Sequence, residues 1–244
     1  MLGVFSYFHR HFTNKRKIVI TNQKKHTTAH RSRLRDRFLD EPHKLPDYEL
    51  LELILGYVQI RKDTKPMAKD LLAKFGNLAG VLDAHPTELQ SIDGIGSSTF
   101  IFFQVLRQTF ARYLEDSVRA KASVSLDDIG QMARSRLAGN PHEEVWAALL
   151  DNGNRLLTFI CVNRGGSDHV LISPREAIEI TIKHKASGLV LVHNHPGGSL
   201  TPTIPDLEAT RQLRQAMHMV RLRFIDHLII ADGQYYSLTK DHLL

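Results

Sequence analysis

The sequence predicts two structural parts, a small all-α domain followed by an α/β sandwich with a mixed sheet. Residues 31–116 show helical periodicity, with apolar side chains recurring along one face. After residue 125, short runs rich in Val, Ile and Leu alternate with amphipathic segments, which is typical of α/β folds. Residues 116–125 are polar and poor in large apolar side chains, and this composition favours a domain boundary there.

The helices of the first part begin and end at recognisable residues. Apolar side chains over residues 48–58 form one broad stripe, which predicts an amphipathic helix. A second helix is predicted between Pro66 at its start and Gly76 just past its end. A third, apolar helix follows the Gly-Ile-Gly turn of residues 94–96 and is predicted to end near Tyr113.

Strands and helices alternate in the second part. An Asn-Gly turn at residues 152–153 predicts a hairpin, because this pair tolerates positive φ. The predicted elements are a short helix over 127–137, strands over 143–150 and 155–162, a helix over 173–185, a strand over 189–195, a helix over 205–220 and a hairpin over 224–238.

The positive charge of the chain is concentrated at its front. Residues 1–40 hold ten Lys and Arg against two Asp, a net of +8, whereas the whole chain of 244 residues carries +6, so the remainder carries about −2. Residues 1–30 have no clear period and are predicted to be a loosely ordered basic extension. Such a segment is either a solvated tail or makes weak, nonspecific contact with DNA or anionic lipid through its charge.

The composition also indicates the cellular compartment in which the chain is expected. Cys161 is the only cysteine, which excludes an intramolecular disulfide and a thiolate zinc cluster, and a reducing cytoplasm fits this best. No apolar run approaches the roughly 20 residues that a membrane-spanning helix needs, so no transmembrane segment is expected.

A candidate metal site lies where the strand over 189–195 ends. Strand alternation directs His193 and His195 to the same face, and Asp206 falls in the first turn of the following helix. Two His and one Asp leave the fourth position of a tetrahedral zinc open, which is the ligand count of a catalytic site. The alternative is purely structural, because Thr203 and Asp206 also form a capping box.

The residues around these histidines carry a family resemblance. Residues 193–198 (HNHPGG), with Thr203 and Asp206 downstream, resemble the JAMM signature of JAB/MPN metalloproteases and are similar to its RadC branch. In the second part the resemblance extends over residues 143–146, 150–152, 173–176 and 226–230, and in the first over residues 49–52 and 94–96.

The resemblance implies a domain organisation. It implies a cytidine-deaminase-like JAB/MPN sandwich over residues 122–244, behind a helix-hairpin-helix domain over residues 31–118 and the basic extension of residues 1–30. In a helix-hairpin-helix module, the Gly-Ile-Gly turn can offer backbone N–H groups to a DNA phosphate. Thr99 stands where such modules often carry Lys, which predicts weak phosphate affinity, and a purely packing role for the helices is the alternative.

The resemblance also implies roles for the site residues. His193, His195 and Asp206 would hold one Zn²⁺ per chain, and Glu143 would act as general base and then general acid. Glu144 is its competitor for that role, and strand alternation permits only one of the two to face the metal. Thr203 stands where the family pattern has Ser, and its hydroxyl would donate to the oxyanion of the tetrahedral intermediate.

Three functional hypotheses follow from the sequence. The first is a zinc metallopeptidase that hydrolyses peptide or isopeptide bonds of an unknown peptide or protein substrate. The second is a DNA-binding repair accessory protein, favoured by the basic front and the Gly-Ile-Gly turn. The third is a metal-binding interaction module without catalysis, which Thr203 allows. The sequence leaves the substrate and the oligomeric state open.

Overall fold

A computed structural model describes residues 22–165 and 172–240, and the chain divides between Ala68 and Lys69 into two compact units. The first unit contains α1 and α2, which pack on each other, and the division falls within α3. The elements up to and including the one that contains the division are α1 (Asn22–Asp40), a 3-10 turn (Pro42–Lys44), α2 (Asp47–Val58) and α3 (Lys65–Phe75). The division into residues 1–30, 31–118 and 122–244 stays a prediction.

The predicted extension over residues 1–30 overlaps α1, which begins at Asn22. Residues 22–30 contain no Gly or Pro that would end a helix, so the helix starts earlier than the apolar periodicity indicated. Residues 1–21 lie outside the described residues, and nucleic-acid contact through them stays a prediction. In the described part of the chain, no helix has the length and apolar character needed to cross a membrane.

The buried face of α2 differs from the apolar stripe that predicted it. Glu49 and Glu52 are buried, with 7% and 2% of their surfaces exposed. Arg37 pairs with Glu49 at 2.9 Å, and His30 lies 2.8 Å from Glu52. These partners lie on α1, so the burial of the two carboxylates depends on the contact between α1 and α2. The sequence of α2 by itself does not indicate that contact.

One helix of the second unit, α6, is longer than predicted. α6 continues past Tyr113 to Arg119, because Ala111 and Val118 are buried and no Gly or Pro interrupts the helix. The turn before α6 contains Gly94 at φ 83°, a conformation that glycine adopts without strain, but a helix-hairpin-helix identity stays a prediction. The helices before the sheet are α4 (Leu78–Asp83), α5 (Pro86–Leu89), α6 (Ser97–Arg119) and α7 (Leu126–Leu137).

A mixed five-stranded sheet with helices on its faces forms the centre of the second unit, as predicted. The strand order is β2-β1-β3-β4-β5, in which β3 and β4 run parallel and every other neighbouring pair is antiparallel. Its elements are β1 (Glu144–Leu150), β2 (Leu156–Arg164), α8 (Pro174–Lys183), β3 (Gly188–Asn194), α9 (Ile204–Met219), β4 (Arg223–Ala231) and β5 (Gln234–Ser237).

Two hydrophobic cores cover the two faces of this sheet. One contains side chains of α7 with Trp146 and Val192. The other contains Leu191 of β3 with side chains of α8 and α9. Because side chains alternate along a strand, His193 projects on the face of Leu191, towards the helix that follows β3. Packing of the second core therefore fixes which way the first predicted ligand points.

Candidate metal centre

The candidate metal centre lies at the carboxyl end of β3, beside the start of α9. Parallel pairing of β3 with β4 requires a crossover, and α9 supplies it. Asp206 is therefore placed in the first turn of a helix that begins next to His193 and His195. Carboxyl ends of strands at such crossovers are common positions for ligand sites in α/β folds.

Three ligating side chains converge at this point. Nε2 of His193 lies 2.8 Å from Nε2 of His195, and each nitrogen lies 3.5 Å from a different carboxylate oxygen of Asp206. His193 is fully buried and Asp206 is 5% exposed, whereas His195 is partly exposed. Among the described residues, these three form a group whose ligating atoms lie within 4.8 Å of one another.

The donor set can hold a metal ion, and two imidazoles with one carboxylate are ligands of the type that zinc accepts. Ligand bonds of about 2.0–2.1 Å in a tetrahedron place ligand atoms roughly 3.4 Å apart, close to the two nitrogen-to-carboxylate distances. Nδ1 of His195 lies 2.7 Å from the carbonyl oxygen of Ser199, which can only accept a hydrogen bond. Neutral His195 consequently carries its proton on Nδ1 and presents the lone pair of Nε2 to the other two ligands.

Thr203 holds Asp206 in position. Its hydroxyl and its backbone N–H both donate to Oδ2 of Asp206, at 2.7 Å each, and the N–H of Asp206 returns a bond to the hydroxyl oxygen at 3.3 Å. The capping box that the sequence allowed is therefore confirmed. It orients the carboxylate whose other oxygen lies near His193, so capping and ligand placement use the same side chains.

The three ligand side chains have displaced pKa values. Burial lowers the pKa of His193 to about 4, and the nearby Asp206 carboxylate only partly offsets this effect. Asp206 raises the pKa of His195, while burial opposes the change. Burial also opposes ionisation of Asp206, but its hydrogen bond with His195 and the charge of His193 outweigh that opposition and hold its pKa well below the usual value.

The metal-free protein is expected to lose stability in acid. The unfolded chain binds a proton on His193 near pH 6.5, whereas the folded chain binds it only near pH 4. Stability therefore falls as the pH decreases through this window, by about 3 kcal/mol at 1.36 kcal/mol for each pH unit. His195 acts in the opposite sense, because its raised pKa adds stability that is complete below pH 6.5 and lost at higher pH.

Urea unfolding with a chelator present, at pH 7 and at pH 4, measures this dependence. We expect the net free energy of unfolding to be lower at pH 4, because the fully buried His227 also has a pKa well below 6.5, which burial causes first and the charge of His193 reinforces. Equal or greater stability at pH 4 would contradict these protonation states.

The two candidate bases have different surroundings. Glu144 accepts a hydrogen bond from Nε1 of Trp146 at 2.9 Å and pairs with Arg164 at 3.4 Å. Trp146 belongs to the core opposite the candidate metal centre. Glu143 immediately precedes β1, is exposed, and its charge contributes to the raised pKa of His195 after the larger effect of Asp206.

Asn194, which lies between His193 and His195, forms hydrogen bonds with the backbone on both sides of Glu143. Its Oδ1 accepts from the N–H of Glu144 at 2.8 Å, and its Nδ2 donates to the carbonyl of His142 at 3.0 Å. On the other side, the N–H of Gly165 donates to the carbonyl of Glu143 at 2.8 Å. These bonds hold the backbone of Glu143 beside the end of β3, and sequence reasoning assigned no role to Asn194.

His227 is a further contact of the site; the sequence favours a packed or partly exposed position for it, with support of the sheet or of the metal ligands as the alternative. It lies on β4, is fully buried, and its Nε2 is 2.7 Å from Nδ1 of His193. Parallel pairing places Leu191 of β3 opposite His227 of β4. A histidine on the strand next to His193 could have indicated this contact, but only to a reader who already knew how the two strands pair.

An open cleft of about 570 Å³ reaches the partly exposed His195. One side is formed by α4 and the segment before it, including Asn77 and Asp83. The turn between β4 and β5 forms another side, with Ile230 and Gln234 among its lining residues. His195 is therefore the candidate ligand through which the group is open to this cleft.

Comparisons with known proteins agree with this architecture. A family model described as RadC-like JAB domain matches residues 123–243. The chain is 36% identical over 217 residues to a "UPF0758 protein" of Rhodobacter capsulatus, covering 86% of this chain and all of that relative. It is 29% identical over 229 residues to "UPF0758 protein FN0909" of Fusobacterium nucleatum, covering 90% and 99%. The chain belongs to the RadC (UPF0758) family, with its JAB domain in the second unit.

Proposed function

We propose that this chain is a zinc-dependent hydrolase of peptide or isopeptide bonds. The observation that carries the proposal is the convergence of His193, His195 and Asp206, of which His195 lines an open cleft. Three protein ligands leave one coordination position for water or substrate, as catalytic zinc sites require. The same region of the described chain supplies no array of carboxylates of the kind that a two-metal nuclease uses.

The proposed reaction divides labour between ligands and a proton carrier. When bound, a zinc ion would supply Lewis-acid polarisation of a carbonyl and would lower the pKa of water towards about 7. His193, His195 and Asp206 hold that ion with two neutral donors and one charged donor. Glu143 accepts a proton from the attacking water and delivers it to the nitrogen of the leaving amine.

The surroundings of β1 support Glu143 rather than Glu144 as the proton carrier. The Glu144 carboxylate is already engaged by Trp146 and Arg164 on the opposite face of the sheet. Val145 of β1 pairs with His193 of β3, and the two side chains share one face of the sheet. Because side chains alternate along an extended chain, Glu143, two residues before Val145, is expected on that same face. Asn194 then holds the backbone on both sides of Glu143, which restricts where its carboxylate can reach.

The Thr203 hydroxyl is proposed to donate a hydrogen bond to the oxyanion of the tetrahedral intermediate. This donation competes with the hydrogen bond that the hydroxyl makes to Asp206. Donation to an oxyanion requires the hydroxyl to leave Oδ2 of Asp206, to which it now donates at 2.7 Å. We expect Thr203→Ala to lower turnover by roughly 10²- to 10³-fold, as loss of one oxyanion donor does, while zinc is retained because the backbone N–H of Thr203 still donates to Oδ2 of Asp206. Thr203→Ser keeps the donor and relaxes the χ1 restriction, so its turnover should equal or exceed that of the parent.

Zinc affinity and peptide turnover measured on both variants separate the two roles of Thr203. A parallel loss of zinc and activity in Thr203→Ala would show that the hydroxyl acts only by orienting Asp206.

Cleavage profiling tests the proposed function as a whole. The full chain is incubated with peptide libraries, with isopeptide-linked peptides and with DNA, each with and without a chelator and after zinc is restored. We expect amide-bond cleavage that the chelator abolishes and zinc restores, with no cleavage of DNA. Chelator-sensitive DNA cleavage without amide hydrolysis would overturn the proposal.

A further inference from the structure

A buried line of hydrogen bonds joins two of the metal ligands through residues that are not ligands. Nδ1 of His193 lies 2.7 Å from Nε2 of His227, and Nδ1 of His227 lies 2.7 Å from Oγ1 of Thr210. The Thr210 hydroxyl in turn contacts the backbone carbonyl of Asp206 at 2.5 Å. His193, His227 and Thr210 have no exposed surface, so water does not compete for these bonds.

The fixed end of this line determines the direction of every bond in it. A backbone carbonyl can only accept, so the single hydroxyl proton of Thr210 points to Asp206. The hydroxyl oxygen is then left to accept from Nδ1–H of His227. Neutral His227 with its proton on Nδ1 has an unprotonated Nε2, which accepts from Nδ1–H of His193.

The opposite direction is disfavoured by the same contacts. If Thr210 donated to His227 instead, its oxygen and the carbonyl oxygen of Asp206 would face each other at 2.5 Å with no proton between them. A doubly protonated His227 is excluded by its complete burial beside two other histidines, since a buried cation needs a charged partner in contact. One arrangement therefore satisfies all three bonds.

We propose that Thr210 and His227 are positioning residues that hold His193 in the Nδ1–H tautomer, with the lone pair of Nε2 directed at the metal. The inference rests on the proposed function, because it assigns these residues to the same metal centre. Nε2 of His193 lies 2.8 Å from Nε2 of His195, so the two lone pairs face one position that a shared cation would occupy.

Thr210→Val tests the proposal with almost no change in shape. Without the hydroxyl, Nδ1–H of His227 loses its acceptor, so the proton is expected to move to Nε2 and point at Nδ1 of His193. His193 must then place its own proton on Nε2, which faces the metal. We expect the affinity for zinc alone to fall by 10- to 100-fold, the usual cost of losing such a partner.

Thr181→Val is a matched control. Thr181 is a fully buried helical threonine whose hydroxyl donates to the carbonyl of Ala177, four residues earlier, at 2.6 Å. It lies on α8, a different helix from the one that carries Asp206. Thr181→Val removes the same hydroxyl as Thr210→Val does. It should therefore lower the free energy of unfolding by a similar amount and keep the parental zinc affinity. Thr210→Ser retains the hydroxyl and should restore the affinity to near the parental level.

The measurements are zinc affinity by competition with a chromophoric chelator, and the imidazole ¹⁵N–¹H spectrum of the metal-free protein. We expect His193 to show the Nδ1–H tautomer in the parent and the Nε2–H tautomer in Thr210→Val. Equal zinc affinity in the parent and Thr210→Val, with an unchanged tautomer, would overturn the inference. Absence of zinc binding by the parent would instead refute the proposed function, so the two failures are distinguishable.

Discussion

Glu143→Gln is expected to lower peptide-bond turnover by roughly 10²- to 10⁴-fold, the usual contribution of a general acid–base group. The amide cannot accept the proton of the attacking water, while the ligands His193, His195 and Asp206 are untouched. Zinc content should therefore remain at one ion per chain. Turnover and zinc content are measured on the same preparation, so that a loss of metal is not mistaken for a loss of chemistry.

Glu144→Gln is the control for this experiment. Its side chain contacts Trp146 and Arg164 on the other face of the sheet, and its replacement should change turnover little. If Glu144→Gln were the inactive variant, or if Glu143→Gln lost its zinc, the assignment of the proton carrier would be wrong.

Replacing His193 and His195 together by Ala is expected to abolish stoichiometric zinc binding. The double variant leaves Asp206 as the one remaining ligand, and a single carboxylate does not hold zinc against a competing chelator. Asp206→Asn should weaken binding less severely, because a neutral amide oxygen remains close to both histidines. Zinc affinity is measured by chelator competition, with activity measured in parallel.

His218→Ala supplies the control for nonspecific histidine effects. His218 is exposed near the end of α9, the same helix that carries Asp206, and it is not one of the three ligands. Its replacement should leave both zinc affinity and turnover unchanged. Undiminished zinc binding by the double histidine variant would show that the metal is held elsewhere.

Local pattern was sufficient to predict the α/β part and the three candidate ligands. Strand alternation fixes the shared face of His193 and His195, and the capping box fixes Asp206 at the start of α9. Both signals lie within 14 residues of chain, so no knowledge of tertiary contacts was needed. The Asn-Gly turn likewise predicted the antiparallel pairing of β1 with β2, which the structure confirms.

The residues that sequence reasoning missed, or left without a firm role as in the case of His227, depend on contacts between distant segments. His227 reaches His193 because β4 lies parallel to β3, and Asn194 reaches the backbone around Glu143 because β1 lies on its other side. Neither neighbour relation has a local signature. The buried Glu49 and Glu52 were missed for the same reason, since their partners Arg37 and His30 belong to another helix.

Zinc titration of the chelator-stripped chain, followed by its cleavage of a peptide substrate identified from the library, tests the central claim most directly. We predict that activity rises in proportion to added zinc and reaches its maximum at one zinc per chain, with no rise in the double variant of His193 and His195. Activity that is independent of zinc, or that zinc restores equally in the double variant, would contradict the account.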